Sequence, residues 1–195
     1  MGAEESLFVF EVESRGRCTL ERRLDLGGVP SFLSFRKGGE ILDVVREGAD
    51  EIVTFSLAGE PRVIGRVKAP GGPCHLRVDA TSRTAVASCY GGGHALHYTI
   101  KIDDALEGPL ATIPVGPKTH SAAIEPKSGA FFASSLDDNV IEELRLSGLA
   151  SEGKQVLSLP RGAGPRLFEF SGDGAWLYVV GEFDAQLHAF ERQGE

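Results

Sequence analysis

The sequence predicts an all-β protein, a β-propeller of four-stranded antiparallel blades with about four blades present. Two observations predict it. Four segments open on Pro30, Pro73, Pro117 and Pro165, 43, 44 and 48 residues apart, and the apolar anchors behind them, Phe35, Val78, Ile124 and Phe170, stand 43, 46 and 46 apart. A period in the low to middle forties marks a solenoid or a propeller. Inside each repeat the anchor is followed by a polar turn (RKGGE, DATSR, EPKSG, SGDGA), a β-rich run (ILDVV, TAVAS, AFFAS, WLYVV), a break and a second alternating run (EIVTFSL, HALHYTI, VIEELRL, QLHAFER). Period-two runs separated by turn residues read as strand, turn, strand. No window carries a sustained helical period with caps, so helical repeats fit poorly.

In chain order, LFVFEVES reads as an outer strand of an incomplete unit. The repeats then fall near 30–72, 73–116, 117–164 and 165–195, within a single domain over 1–195. At about 45 residues per blade the chain builds roughly four blades.

Composition narrows the function classes. The chain is 42% hydrophobic and 25% charged, as expected for a packed globular domain rather than a disordered one. Its 25 glycines and 10 prolines suit many short strands and turns. Net charge is −8, and the longest basic feature, ERRLD, is a solvated strand edge, so no nucleic-acid partner is expected. Three cysteines without CxxC spacing argue against a disulfide framework and a zinc site. There is no basic n-region followed by an apolar h-region, and no apolar run of about 18 residues, so neither a secretory signal nor a membrane partner is expected. A reducing, cytoplasmic location is the resulting expectation.

His94 and His97 lie three apart in a strand and point to opposite faces, so they cannot converge on one ion. The glycine runs GGPC and CYGGG lack the strand-to-helix context and Lys-Ser/Thr of a phosphate loop, and no GxSxG is present. No metal and no cofactor is expected. What remains is a set of polar residues at comparable places in different repeats. His75, His120 and Arg166 follow the repeat prolines closely. Glu47, Tyr90 and Glu182 each stand twelve residues beyond an anchor. Repeat symmetry places these six on one rim of the central channel. A His moves protons near neutral pH, a carboxylate accepts them, and an Arg offsets a developing oxyanion or holds a carboxylate or phosphate.

These segments resemble the lactonase family of seven-bladed β-propellers, which includes propeller-type 6-phosphogluconolactonase and fungal carboxy-muconate lactonizing enzyme. PSFLSF is similar to the family's Asn-Pro-Ser-Phe-Leu opening, and ILDVVRE to its Leu-Tyr-Ala-Val-Asn-Glu run. GGPCHLRVDATSRTAVASCYGGG is similar to its Pro-Cys-His-Leu-Ser-Val-Asp segment ending in Asn-Tyr-Gly-Gly-Gly. GAGPRLFEFSGDGAWLYVVGEF is similar to its Gly-Ala-Gly-Pro-Arg-His segment ending in Asn-Glu-Leu. The resemblance covers nearly the whole chain. It implies His120, Arg166 and Glu182 as catalytic groups, and Glu47, His75, Tyr90 and Lys118 as substrate-binding ones. Cys89, Arg46 and Gly181 stand where the family has Asn, and Lys118 and Leu167 where it has His.

The implied activity is hydrolysis of a sugar or organic-acid lactone such as 6-phosphogluconolactone, by water attack on the ester carbonyl. His120 or Glu182 would accept the proton, and Arg166 would offset the oxyanion. The alternatives are cycloisomerisation of a muconate on the same groups, and a non-catalytic propeller fragment or binding module. Seven blades would need on the order of 315 residues. The closing blades are therefore expected to be absent, with self-association one way to cover open sheet edges.

Overall fold

The computed structural model describes residues 5–81 and 83–193. These form five antiparallel sheets whose strands are consecutive in sequence. A two-stranded sheet pairs β1 (Ser6–Val12) with β2 (Cys18–Asp25). Blade 1 follows as β3 (Pro30–Arg36), β4 (Ile41–Arg46), β5 (Glu51–Ser56) and β6 (Arg62–Lys68). Blade 2 contains β7 (Pro73–Val78), β8 (Thr84–Cys89), β9 (His94–Ile100) and β10 (Leu106–Pro114). Blade 3 contains β11 (Thr119–Ile124), β12 (Phe131–Ser135), β13 (Val140–Arg145) and β14 (Glu152–Ser158). Blade 4 has three strands among the described residues, β15 (Pro165–Phe170), β16 (Trp176–Gly181) and β17 (Leu187–Glu191). The expected all-β, propeller-type architecture is what the chain adopts. The remaining regular structure among the described residues is three single 3₁₀ turns, at Lys37–Gly39, Glu47–Ala49 and Gly148–Ala150.

The first strand of each blade packs against the first strand of the next, β3 on β7, β7 on β11 and β11 on β15, so these four strands line the axis of an arc. Sheets are stuck face to face by four apolar clusters. Leu7 and Leu24 meet Leu42, Val44, Val53 and Phe55. Val45 and Ile52 meet Leu76, Ala87, Leu96 and Tyr98. Val86, Ala95 and Ile113 meet Ala122, Phe131 and Leu144. Ile141 and Leu159 meet Phe168 and Val179. The middle strands of blades 1 and 2 are therefore covered on both faces, which is why ILDVV and TAVAS read as nearly continuous apolar runs rather than alternating ones. Each fully buried Val, Leu or Ile contributes about 1.5–3 kcal/mol.

One buried polar link also joins blades 1 and 2. Arg36 and Asp43, with side chains 1% and 0% exposed, form an ion pair at 2.6 Å. Thr54 Oγ1 donates to Asp43 Oδ1 at 2.7 Å, and Arg36 Nη2 donates to the Asp104 carbonyl in the β9–β10 loop at 2.8 Å.

Two local devices shape the end of the arc that carries the site. Each first strand is bulged beside its opening residue, where the register with the second strand shifts. The turn from second to third strand then passes through a left-handed residue: Asp50, Gly93, Asn139 or Ala185, with φ of 50°, 64°, 57° and 55°. Asp50 Oδ1 accepts the N–H groups of Gly71 and Gly72, and Asn139 Oδ1 those of Gly162 and Gly164, so each holds the loop that enters the next blade.

Candidate active site

Strand register defines the rim. Pro30 pairs with Arg46, Pro73 with Cys89, Thr119 with Ser135 and Pro165 with Gly181. One residue further along each first strand stand Ser31, Cys74, His120 and Arg166. One residue further along each second strand stand Glu47, Tyr90, Leu136 and Glu182. Five of the seven residues expected from the sequence, Glu47, Tyr90, His120, Arg166 and Glu182, occupy these equivalent positions.

His75 does not. It lies one step beyond the rim, is 3% exposed, and accepts the Ala122 N–H of blade 3 through Nδ1 at 3.3 Å. Its ring packs on Phe32 of blade 1 at 4.2 Å between centroids. It is a tie between blades. The rim place in blade 2 belongs to Cys74, which sequence reasoning missed. Counting from prolines misled because β11 opens at Thr119, two residues after Pro117, with Lys118 in the left-handed region at φ 56° between them. Spacing from the apolar anchors carries the correct alignment.

Arg166 Nη1 donates to Glu182 Oε2 at 2.5 Å, both from blade 4, with side chains 51% and 33% exposed. Burial and the Arg166 charge hold His120 below the ordinary imidazole range, against the opposing pull of Glu182, so the ring is neutral near pH 7. Its Nδ1 is buried without a hydrogen-bond partner among the described residues. Tyr90 presents an edge-to-face contact to the His120 ring at 6.0 Å. Cys74 Sγ donates to the His120 carbonyl at 3.2 Å, and its thiol is pushed up to about 12 by burial first and the Glu47 charge second, so it stays protonated.

Lys118 stands at the edge of this group. Its Nζ lies 3.0 Å from Asp137 Oδ1 and 5.6 Å from the centroid of the Phe183 ring. Tyr90, Lys118 and Asp137, with residues 91–93 and 116–117, line an open recess of about 580 Å³ beside the rim. Two further recesses, of about 520 and 530 Å³, are lined mostly by apolar faces of the outer sheets and hold none of the rim groups. The rim, where titratable groups from four blades converge, is the better candidate for chemistry.

Below the rim an ion pair spans the inner strands. Arg77 of β7 reaches over β11, donating Nε to the Ala122 carbonyl at 3.2 Å, and pairs through Nη2 with Glu169 of β15. His94 and His97 are separate: His94 contacts the carbonyls of Gly92 and Pro70, and His97 lies near Ser151 Oγ at 3.5 Å.

Consecutive antiparallel sheets whose first strands pack side by side along one axis define a protein of the β-propeller class. The chain matches the family described as lactonase, seven-bladed β-propeller, over residues 2–195, and it belongs to that family. It is 23% identical to the 6-phosphogluconolactonase of Yersinia pestis, over 96% of this chain and 58% of that protein. Among solved structures it is similar to the Pseudomonas aeruginosa periplasmic gluconolactonase PpgL, with a TM-score of 0.80 and 19% identity, covering 100% of this chain and 62% of that one. A Bacteroides uniformis protein provisionally described as a 6-phosphogluconolactonase superposes with a TM-score of 0.86 and 19% identity, covering 99% and 62%. The chain thus spans about three fifths of the length of the relatives it matches. Among the described residues no helix is long and apolar enough to cross a membrane.

Proposed function

We propose that the protein is a lactonase that opens a sugar or organic-acid lactone by adding water to the ester carbonyl. One observation carries this reading: Arg166, Glu182 and His120, from two neighbouring blades, meet at one open rim with the guanidinium held by Glu182 at 2.5 Å. As water adds, charge builds on the carbonyl oxygen, and a guanidinium fixed before the reaction stabilises that charge without reorganising. Glu182 keeps Arg166 in place. Neutral His120 and Tyr90 form the wall against which the lactone ring lies, and Lys118 is placed to meet an anionic substituent of the substrate. The 6-phosphogluconolactonase relative supports a phosphorylated sugar lactone as the first substrate to try.

The test is hydrolysis of 6-phosphogluconolactone and gluconolactone against the spontaneous rate. Turnover by the wild-type chain that collapses in Arg166→Ala is the expected result. No acceleration of either lactone would sink the reading. Three free cysteines support a reducing cytoplasmic location, which fractionation of the tagged protein checks.

A further inference from the structure

Hydrolysis needs a group that takes a proton from the attacking water, and of the two groups expected from the sequence one carboxylate is engaged and the imidazole has one of its two nitrogens closed off. Glu182 has Oε2 committed to Arg166. His120 has its Nδ1 sealed inside the blade. Glu47 is the rim carboxylate left over, and we propose that it is the general base; this deepens the lactonase reading and rests on it.

Four observations converge on Glu47. Its main chain is fixed, with its N–H donating to the Val29 carbonyl at 3.0 Å and its carbonyl accepting from Asp50 N–H at 3.4 Å. Among the described residues its side chain makes neither a hydrogen bond nor an ion pair, although the next residue back, Arg46, is fully occupied by Glu51 and the carbonyls of Leu26 and Gly27. The half-buried Glu47 side chain runs along the backbone before Cys74: its Cγ lies 4.0 Å from where a Cβ at Gly72 would stand. Strand register sets Glu47 and Arg166 at rim positions of blades 1 and 4, one residue beyond the Pro30–Arg46 and Pro165–Gly181 pairs, so the free carboxylate and the guanidinium belong to the same rim.

The step balances with water as the only co-reactant. Glu47 takes one proton from water as the oxygen bonds to the lactone carbonyl carbon, and the resulting oxyanion faces Arg166. Collapse breaks the bond between that carbon and the ring oxygen, and the proton on Glu47 passes to the departing alkoxide. The product is the open hydroxy acid, and Glu47 is again a carboxylate. Both carboxylates therefore serve, in different roles: Glu182 holds the cation and Glu47 moves the proton.

The experiment compares Glu47→Gln, Glu47→Ala and Glu182→Ala with wild type on the same lactone, with thermal melting to show that each variant is folded. Loss of a general base predicts a kcat about 100-fold or more lower in Glu47→Gln, with KM within about threefold. Added formate restores Glu47→Ala in a concentration-dependent manner and does not restore Glu182→Ala. A folded Glu47→Gln that keeps more than about a third of wild-type kcat, or formate rescue of Glu182→Ala alone, overturns the assignment while lactone hydrolysis stands. A wild-type chain no faster than spontaneous hydrolysis removes the reaction itself, and the assignment with it.

Discussion

Acid should loosen the joint between blades 2 and 3 at His75, by an amount that can be worked out. The His75 ring is almost fully buried, accepts the Ala122 N–H, and is held down to about 3 from an ordinary 6.5, by burial first and then by the Arg77 and His120 charges. A base with a depressed folded value is neutral in the native state and charges first in the unfolded chain. Its contribution is therefore complete above about pH 6.5 and is lost as pH falls toward about 3. Linkage gives a loss of about 2–3 kcal/mol between pH 7 and pH 4.5 from this residue alone. For a chain of this size that is about 5–10 °C in Tm. His97 and His120 are shifted in the same direction and add to it. Scanning calorimetry of wild type and His75→Asn at the two pH values isolates the His75 share, because the Asn carbonyl offers Ala122 N–H an acceptor that does not titrate. The wild type should lose about 5–10 °C more than the variant. Parallel losses in the two proteins would refute the reasoning.

Other outcomes follow from the same geometry. Asp43→Ala leaves the Arg36 guanidinium buried without its partner and should cost about 3–5 kcal/mol in denaturant unfolding, whereas a loss under about 1 kcal/mol would mean that water reaches Arg36. Ala185 is the left-handed corner residue whose counterpart in blade 3 is Asn139. Ala185→Asn should raise Tm by about 2–4 °C, from about 1 kcal/mol of relieved strain, and an unchanged Tm would contradict the strain. Gly116, at φ 143°, has Asp138 Oδ2 and Ser135 Oγ 2.5 and 2.6 Å from where a Cβ would stand, so Gly116→Ala should lower Tm and disturb the Lys118 recess, read as a raised KM. Arg166→Ala should reduce kcat by about 10²–10³-fold, and a KM effect alone would recast Arg166 as a binding group.

Much of the fold was legible because each strand's burial is written into its residues. Two-sided packing makes β4 and β8 read as apolar runs, and RKGGE spells a turn whose Lys37, Gly38 and Gly39 all adopt positive φ. The rim was legible as far as repeat spacing holds. Glu47, Tyr90 and Glu182 were located by counting from anchors, since no residue is inserted between anchor and corner. Counting from prolines puts His75 on the rim in place of Cys74 because the prolines are not equivalent: Pro73 and Pro165 open their strands, whereas Pro117 lies two residues before β11, and only the anchor spacing corrects for this. The engagement of Glu182 and the freedom of Glu47 were invisible, because they depend on which side chains cross between blades rather than on where each stands in its own repeat.

The strap from Arg77 to Glu169 changes how the arc can come apart. In a stack of repeats each unit ordinarily feels only its immediate neighbours, so an interior blade can open once those two contacts yield. Here blade 2 is joined to blade 4 over the inner strand of blade 3, which is tied to the same Arg77 through Ala122. Releasing β11 from the axis therefore also costs this part-exposed pair, about 0–1 kcal/mol beyond the contacts with its two neighbours. Blades 2, 3 and 4 thereby share one set of contacts beneath Cys74, Tyr90, His120, Arg166 and Glu182, while the buried Arg36–Asp43 pair and its bond to the Asp104 carbonyl tie blade 1, with Glu47, to blade 2.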